Sequence, residues 1–481
     1  MRILIATPEA VPYANTGGLG DVTGALAKEF RRRNIEASLV LPLYKETKDR
    51  FVLEPTGKTF GLRMGDRFVE GRVWVSDSSS ASHAYFIECD RLFGRPELYG
   101  LPGSDYPDNA LRFSFFSMAV LETCLAMDIR PDVIHCNDWQ TGMVPLYIKD
   151  LYRKHFARTA TLYTIHNLGY QGIFAASDWK YTGVGRGYFT PEGIEFYGKI
   201  NFMKAGLNYA DLITTVSKTY AREILEGEFG FGLDGVLGKR KEDLYGVTNG
   251  IDYEEWDPAG DGVIPQRYTS DDIRGKSACK RALLRETGMG NEGAPLFGVV
   301  SRFSEQKGID LISGSIDALL SLGINMVVLG RGEERYQDLL TDIAGRNRGR
   351  VFVRTAFERE LARLIYAGCD FFLMPSRYEP CGLGQLIALR YGAVPVARRT
   401  GGLADTVVDY DHIASKGTGF LFEDFTASAL GSAVKRALCI FVDRRKAGRI
   451  IRDAMREDFS WSGPADRYLE LYEKAVDKVS R

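Results

Sequence analysis

The sequence lacks the features that mark secreted, membrane-spanning and nucleic-acid-binding proteins. Its seven cysteines are odd in number and have no Cys-x-x-Cys spacing, which favours reduced thiols over a disulfide framework. No run approaches the ~18 consecutive apolar residues of a membrane span. A formal net charge of −1 gives no electrostatic reason to expect nucleic acid or a membrane surface as partner. Met1 to Ala6 enter a strand pattern directly, without a signal-peptide pattern, so we expect a cytoplasmic protein.

Histidine is also scarce, with five in the chain. No two of them have the spacing of a metal site, so the sequence predicts no protein-bound metal and no cofactor. His135 and His166 each end a strand pattern, where a hydrogen-bonded structural role is the more common one. His166 is the stronger candidate for a ligand contact, because the glycines Gly169 and Gly172 follow it and allow the backbone to approach a ligand.

What is present is the composition of a globular protein with ample core, with 45% hydrophobic and 26% charged residues. The 481 residues allow three domains of about 150 residues or two larger ones. Short strands rich in Val, Ile and Leu alternate with helix-length segments, which favours parallel sheets, with a hairpin at 73–87. The predicted strands are 2–7, 37–41, 73–76, 84–87, 133–136, 161–165, 212–216, 244–247, 296–300, 326–329, 351–353, 371–374, 394–397 and 419–422.

The pattern predicts two Rossmann-like domains that face each other across a cleft. The first comprises residues 1–256 and the second residues 273–459. Between them, 257–272 is rich in turn formers and charge, which is typical of a linker. An amphipathic helix is predicted within the last segment, 460–481.

The stretch Phe371 to Gly392 is the most informative part of the second domain. A short apolar strand is followed by a loop with Glu379 and Cys381, and a helix pattern resumes near Gly382. Ligands of open α/β sheets bind at such carboxyl ends of strands. Backbone N–H groups at a helix start suit anions, and a carboxylate suits hydroxyls. A sugar attached to a diphosphate presents both.

Three other loops of the second domain carry candidate ligand contacts. Arg302 and Lys307 follow a strand and precede a helix, where two cations can clamp a diphosphate, although such a pair is also common on solvated surfaces. Thr400, Gly401 and Gly402 follow another strand and permit close backbone approach. Phe357 is interpreted as a core residue by default, with stacking against a base as the alternative.

In the first domain, a loop with Gly17, Gly18 and Gly20 follows the first strand, and a helix is predicted from Asp21 as its N-cap. The glycines miss the dinucleotide spacing by one residue, so an NAD site is disfavoured, and tight turns of an ordinary loop are the alternative. Later strands end in polar clusters that contain Asp138, His166 and Asn249. Because parallel strands end at one edge of a sheet, these clusters predict a crevice there.

Taken together, these motifs resemble the bacterial glycogen synthase and plant starch synthase family over nearly the whole chain. The matching segments are TGGLGDV from Thr16, HCNDW from His135, TIHNLGYQG from Thr164, TNGID from Thr248, SRFSEQKG from Ser301, PSRYEPCGL from Pro375, RRTGGLADTV from Arg398 and FSW from Phe459. The resemblance implies a retaining GT-B glycosyltransferase, a hexosyltransferase that moves glucose from ADP-glucose to the nonreducing end of an α-1,4-glucan such as glycogen. It also implies that the carboxyl-terminal helix packs back on the first domain.

The resemblance further implies roles for individual residues. Arg302 and Lys307 hold the departing diphosphate, Glu379 contacts the sugar near the reacting centre, and His166 lies beside the sugar hydroxyls. Asp138 and Asn249 line the same cleft. The other implied substrate contacts are Asn15, Thr16, Gly17, Gly18, Asp21, Tyr106, Phe357, Cys381, Gly382, Leu383, Thr400, Gly401 and Gly402.

Two positions depart from the family pattern. Asn15 stands where the family has a lysine, which leaves the donor nucleotide open, and Asn137 replaces a histidine. Two alternative functions stay open: another GT-B transferase or epimerase that uses a different sugar nucleotide, such as a UDP-sugar, and a non-catalytic glucan-binding relative. A phosphorylase is disfavoured by length and by the lack of a pyridoxal-phosphate lysine motif. The oligomeric state is left open.

Overall fold

The computed structural model describes residues 1–76, 83–101 and 103–480. The chain divides into two compact units, the first formed by Met1–Asn249 with Trp461–Arg481 and the second by Gly250–Ser460. Each unit is built around a sheet whose central strands are parallel. Within the described ranges, no helix combines the length and the apolar character needed to cross a membrane.

The first unit contains a nine-stranded sheet, a three-stranded sheet and a two-stranded one. Its strands are β1 (Ile3–Ala6), β2 (Ala37–Pro42), β3 (Leu53–Met64), β4 (Arg67–Ser76), β5 (Ala84–Glu88), β6 (Gly100–Leu101), β7 (Ser104–Asp105), β8 (Val133–Asn137), β9 (Ala160–Ile165), β10 (Ile173–Phe174), β11 (Glu195–Phe196), β12 (Lys199–Asn201), β13 (Leu212–Thr215) and β14 (Leu244–Gly246). Its first helices are α1 (Gly18–Arg32), α2 (Lys45–Arg50), α3 (Asp90–Phe93), α4 (Asn109–Ala126), α5 (Met143–Lys149), α6 (Arg153–Phe156), α7 (Phe202–Tyr209), α8 (Lys218–Glu223) and α9 (Asp234–Lys239).

The order of the large sheet is β14-β13-β9-β8-β1-β2-β5-β4-β3. The order changes direction between β1 and β8, and β1 pairs in parallel with both β2 and β8. Open α/β sheets bind their ligands in a crevice at the carboxyl ends of the two strands between which the strand order reverses. The loops that follow β1 and β8 therefore occupy the position expected for a binding site.

The far edge of this sheet is antiparallel. Strand β4 pairs with β5 in the register Val73↔Ile87, which confirms the antiparallel pairing of the predicted hairpin. The connection between the two strands, residues 77–82, lies outside the described residues. Strand β3, which the sequence analysis does not predict, extends the edge by pairing with β4. Its side chains are mostly exposed, so the apolar pattern of a buried strand is absent.

Helix α1 packs by one face and ends in arginines. Val22, Leu26 and Phe30 are buried at a spacing of four residues, and Arg31 and Arg32 lie in the last turn, where cations suit the helix dipole. The predicted N-cap is wrong. The helix begins at Gly18 and has Gly17 as its N-cap residue, so Asp21 lies in the first turn. Glycines that extend a helix upstream of a good capping residue are hard to anticipate from propensity alone.

The second unit has a six-stranded parallel sheet in the order β17-β16-β15-β18-β19-β20. Its strands are β15 (Leu296–Val300), β16 (Asn325–Leu329), β17 (Val351–Arg354), β18 (Phe371–Met374), β19 (Val394–Arg398) and β20 (Phe420–Phe422). Its helices are α10 (Arg274–Glu286), α11 (Ile309–Ser321), α12 (Glu334–Arg346), α13 (Arg359–Gly368), α14 (Gly384–Arg390), α15 (Gly401–Thr406), α16 (Ala427–Phe441) and α17 (Arg444–Arg456). The order changes direction between β15 and β18, and α14 begins two residues after the predicted Gly382.

The segment 257–272 differs from the predicted linker, because it is part of the second unit. Ile264 and Tyr268 are buried in that unit's core. The carboxylate of Asp261 accepts a hydrogen bond from the Tyr391 hydroxyl at 2.6 Å and lies 3.1 Å from Nη1 of Arg363. Turn-forming residues predict a loop correctly, but they do not show that a carboxylate in that loop pairs with a guanidinium about 100 residues away.

The last helix, α18 (Ser462–Ser480), belongs to the first unit. Its apolar face, which includes Tyr468, Leu471 and Ala475, is buried in the core that contains β1, β8 and β9. The Tyr472 hydroxyl lies 2.8 Å from Nδ1 of His135 on β8, whose Nε2 lies 2.6 Å from Oγ1 of Thr164 on β9. His135 therefore has the structural role that a strand-end histidine most often has.

Candidate active site

In the second unit, two predicted site residues form an ion pair at the reversal of strand order. Nζ of Lys307, beyond the end of β15, lies 2.6 Å from Oε2 of Glu379, beyond the end of β18. Oγ of Ser376 donates a second hydrogen bond to the same carboxylate oxygen at 3.0 Å. Glu379 is buried and Lys307 is mostly buried, so the carboxylate and the ammonium are held at fixed positions rather than in solvent.

Two glycines make this arrangement possible because the backbone passes very close to the loop 375–382. A Cβ on Gly308, which has φ +70°, would lie 2.0 Å from the carbonyl oxygen of Pro375. A Cβ on Gly401, which has φ +44°, would lie 1.8 Å from the carbonyl oxygen of Glu379. That oxygen also accepts a hydrogen bond from the N–H of Gly402 at 3.0 Å. The start of α15, with Thr400 as its N-cap residue, thus supports Glu379 through its backbone.

The other predicted residues of this unit differ in exposure. Cys381 and Thr400 are buried, Leu383 is partly buried and Gly382 has φ +76°. Arg302 is exposed on the segment between β15 and Lys307. The default interpretation of Phe357 as a core residue is wrong, because its side chain is 79% exposed. An exposed aromatic ring after a strand end is compatible with the stacking alternative.

In the first unit, the loop 8–17, here called the glycine loop, is held by a residue that the sequence analysis does not predict. The buried carboxylate of Glu9 accepts hydrogen bonds from the backbone N–H and the hydroxyl of Thr16, the latter at 2.8 Å, and from the hydroxyl of Tyr99 at 2.5 Å. Glu9 lies in the loop that the glycine pattern indicates, so that pattern could have drawn attention to Glu9. Its partner Tyr99 has no such signal, because their contact spans 90 positions.

Asn15 makes local contacts with the helix start. Its Oδ1 accepts a hydrogen bond from the N–H of Gly17 at 2.9 Å, and its Nδ2 donates one to Oδ1 of Asp21 at 3.0 Å. Asn15, Thr16, Gly17 and Gly18 are exposed. The amide of Asn15 thus orders the entry to α1, but it supplies no positive charge there.

Asp138 lies after β8 in a conformation that is uncommon for a residue with a side chain, with φ +56°. Its Oδ1 accepts a hydrogen bond from the backbone N–H of His166 at 2.8 Å. Burial raises the pKa of Asp138 to about 7, and the nearby charge of Glu9 acts in the same direction, against the hydrogen bonds from the backbone of His166 and Asn167. Asp138 therefore ties the loop after β8 to the loop after β9.

The side chain of His166 continues this link. Its Nε2 lies 2.9 Å from Oδ1 of Asn137, the last residue of β8. The ring is half-buried, and desolvation lowers the pKa of His166 to about 3, so the imidazole is neutral at physiological pH. The structure thus brings together Asp138 and His166, as the shared sheet edge predicts.

Two further predicted residues of the first unit, Tyr106 and Asn249, have buried polar atoms. The ring centroid of Tyr106 lies 4.6 Å from the guanidinium carbon of Arg95 and 5.0 Å from that of Arg112. Within the described residues, neither the buried hydroxyl of Tyr106 nor the buried Oδ1 of Asn249 has a hydrogen-bond partner. Buried polar atoms of this kind are candidates for ligand contacts.

The part of the chain that the structure describes contains no group of three or more His, Cys, Asp or Glu side chains placed to hold a metal ion. The absence of a metal cofactor stays a prediction.

Two units, each built on a sheet with parallel central strands, form the architecture of the GT-B class of glycosyltransferases. The model of the starch synthase catalytic domain matches residues 2–239, and the model of glycosyl transferases group 1 matches residues 282–452. The chain belongs to the glycogen synthase family. It is 44% identical to a glycogen synthase from Syntrophotalea carbinolica over 99% of both chains, and 43% identical to one from Thermodesulfovibrio yellowstonii over 100% of this chain and 99% of that one.

A solved structure agrees with this assignment. The chain is similar to the catalytic domain of starch synthase IV from Arabidopsis thaliana bound to ADP and acarbose, with a TM-score of 0.92 and 32% identity over 99% of both chains.

Proposed function

We propose that this protein is an α-1,4-glucan synthase that transfers glucose from ADP-glucose to the nonreducing end of glycogen with retention of configuration. Whole-length similarity to glycogen synthases supports the reaction class, and the starch synthase IV structure with ADP supports the donor nucleotide. The observation that carries the proposal is the Lys307–Glu379 pair at the strand reversal of the second unit. It provides one cation for a leaving diphosphate and one carboxylate for a sugar.

The chemistry requires stabilisation of the leaving group. Cleavage of the glucosyl–phosphate bond produces an oxocarbenium-like sugar and a diphosphate with an additional negative charge. Preorganised cations lower that barrier, and they act more strongly in a partly desolvated site than in water. In this proposal Lys307 and Arg302 neutralise the diphosphate, and the N–H groups near Gly382 add to them.

Retention of configuration requires either a covalent carboxylate intermediate or attack from the same face as the departing group. We favour same-face attack, because the Glu379 carboxylate is held by Lys307 and Ser376 and is therefore poorly placed to act as a nucleophile. Glu379 then contacts the sugar near the reacting carbon, and His166 accepts a hydrogen bond from a sugar hydroxyl. The same proposal includes a cytoplasmic location, which the cysteine usage supports.

The decisive experiment incubates the purified protein with glycogen and either ADP-glucose or UDP-glucose, and follows nucleotide release and chain length. We expect ADP release with longer α-1,4 chains, and at least a ~100-fold loss of rate in Glu379→Gln. Turnover of a UDP-sugar without glucan extension would favour the alternative transferase. Binding of glycogen without nucleotide release from any donor would favour the non-catalytic relative.

Asn15 allows the donor preference to be tested on this chain. In Asn15→Lys we expect a several-fold lower KM for ADP-glucose, because a cation is added at an exposed position of the glycine loop. Asn15→Gln is the matched control, since it changes side-chain length and adds no charge. Equal KM values in both variants would show that charge at this position does not affect donor binding.

A further inference from the structure

The amide of Asn137 has one possible orientation in its hydrogen-bond network. Nδ2 donates to the carbonyl oxygens of Ala6 at 3.1 Å and of His135 at 3.2 Å. Rotation of the amide by 180° would place Oδ1, an acceptor, against these two carbonyl oxygens and would break both hydrogen bonds. Asn137 is buried, so water does not offer a substitute. Oδ1 therefore faces His166, and it can only accept a hydrogen bond.

This orientation determines the position of the proton on the facing ring. Nε2 of His166 lies 2.9 Å from Oδ1 of Asn137, so Nε2 must carry the hydrogen. A neutral imidazole has one N–H group, and therefore Nδ1 carries a lone pair. An acceptor nitrogen is the form that can receive a hydrogen bond from a sugar hydroxyl, whereas a ring with Nδ1–H could only donate at that position.

We propose that Asn137 is a positioning residue that holds His166 in the tautomer with a proton on Nε2 and an acceptor lone pair on Nδ1. The part of this inference that concerns a sugar hydroxyl rests on the proposed function. Asn137 is one of the two positions where the chain departs from the family pattern. Its side chain nevertheless provides a hydrogen-bond acceptor for the His166 ring. Asn137 acts through His166 and does not itself contact substrate.

The other ionisable groups around the ring leave this assignment unchanged. Asp138 receives the backbone N–H of His166 rather than a ring nitrogen. His135 is neutral, because burial lowers its pKa to about 3, and both of its ring nitrogens are occupied by Tyr472 and Thr164. Glu9 acts on Asp138 through its charge.

The first test reads the tautomer directly, without turnover. The full-length protein is labelled with ¹⁵N-histidine, the signals of His166 are identified by their loss in His166→Gln, and the two ring nitrogens are recorded from pH 5 to 8. We expect a protonated Nε2 and an unprotonated Nδ1 throughout, since the pKa of His166 is about 3. A proton on Nδ1 in the wild-type protein would overturn the proposal.

The second test uses Asn137→Asp, which preserves side-chain size and replaces the amide by a carboxylate. A negative charge this close should raise the pKa of His166, so protonation of Nδ1 should begin at a higher pH than in the wild type. The signals of His412, which lies in the second unit, are the internal control and should not move. If the His166 signals in Asn137→Asp stay as in the wild type, Asn137 does not control the ring.

Kinetics extend the test to the reaction. In Asn137→Asp, kcat/KM for ADP-glucose should gain an acidic limb absent from the wild type, with about half the activity at the midpoint of the His166 titration. A flat profile despite that titration would contradict the role of Nδ1 toward substrate. If no donor is turned over but the ring signals behave as expected, the tautomer assignment is supported and the proposed reaction is wrong. Turnover with Nδ1–H in the wild type would overturn this inference alone.

Discussion

Lys307 and Glu379 approach to 2.6 Å although they are 72 positions apart in the chain. They follow β15 and β18, the two strands between which the order of the second sheet reverses. The parallel pairing of these strands, Phe297↔Phe371 and Gly298↔Phe372, brings their carboxyl ends together. A buried carboxylate is thereby provided with a cation, and both are placed where an α/β sheet binds its ligand.

Lys307→Ala is expected to lower kcat by at least ~100-fold, because one charge that stabilises the leaving diphosphate is removed. Lys280→Ala is the matched control. Lys280 pairs with Asp370 at 2.7 Å and its side chain is 12% exposed, against 17% for Lys307, but Asp370 precedes β18 rather than following it. Both variants should lose stability, and only Lys307→Ala should lose kcat after correction for the folded fraction. Equal losses of kcat would contradict the assignment.

Gly401→Ala is expected to disturb Glu379 through its backbone. The new Cβ would lie 1.8 Å from the carbonyl oxygen of Glu379, and φ +44° is unfavourable for alanine. We expect a loss of about 2 kcal/mol or more in the free energy of unfolding and up to ~100-fold in kcat, since small displacements of catalytic groups are costly. Denaturant unfolding and steady-state kinetics measure both quantities.

Gly314→Ala is the control for this substitution in the same unit. Gly314 is exposed on α11 and a Cβ there meets nothing within 4 Å. Alanine should stabilise the helix by about 0.5–1 kcal/mol and leave kcat unchanged. If Gly401→Ala were as active as Gly314→Ala, the support of Glu379 by the glycine backbone would have no catalytic importance.

Asp138 is expected to make stability depend on pH. Its pKa is raised by burial from 3.8 to about 7, so the folded protein binds this proton more tightly than the unfolded chain. The stabilisation is complete below about pH 4 and is lost as pH rises to about 7. Over that range its contribution falls by up to ~4 kcal/mol.

The comparison of wild type with Asp138→Asn isolates this contribution. His135 and His166 have pKa values lowered to about 3, so they destabilise the folded protein as pH falls below 6.5 and oppose the effect of Asp138 in the wild-type profile. The histidine contribution cancels when the two proteins are measured by urea unfolding from pH 5 to 8. A difference between them that does not change with pH would show that Asp138 ionises normally.

Local sequence patterns predict where a site residue lies along the chain better than they predict which residue it contacts. The strand followed by glycines, and the motifs around His166, Arg302 and Glu379, place these residues at strand ends, because a short apolar run and its flanking turn formers are local signals. The contact of Asn137 with His166 depends on β8 lying next to β9, which only the sheet order reveals. Glu9 and Tyr99 meet for the same nonlocal reason.

Composition is misleading where a polar segment is buried or an apolar residue is exposed. Segment 257–272 has the turn formers and charges of a linker, but Asp261 is neutralised by Arg363 inside the second unit. Phe357 has the side chain of a core residue and is largely exposed. Helix α4 is buried on almost all of its faces, so it lacks the one-sided period by which a helix is recognised.

Helix α18 contacts β8 of the first unit through a buried hydrogen bond. The Tyr472 hydroxyl lies 2.8 Å from Nδ1 of His135 in a fully buried environment. Tyr472→Phe leaves that ring nitrogen without a partner, and should cost about 1–3 kcal/mol in the free energy of unfolding. Tyr163→Phe is the matched control, because the buried hydroxyl of Tyr163 on β9 has no hydrogen-bond partner among the described residues. Its removal should be neutral or slightly stabilising, and equal destabilisation of the two variants in denaturant unfolding would show that the His135 contact does not hold α18 in place.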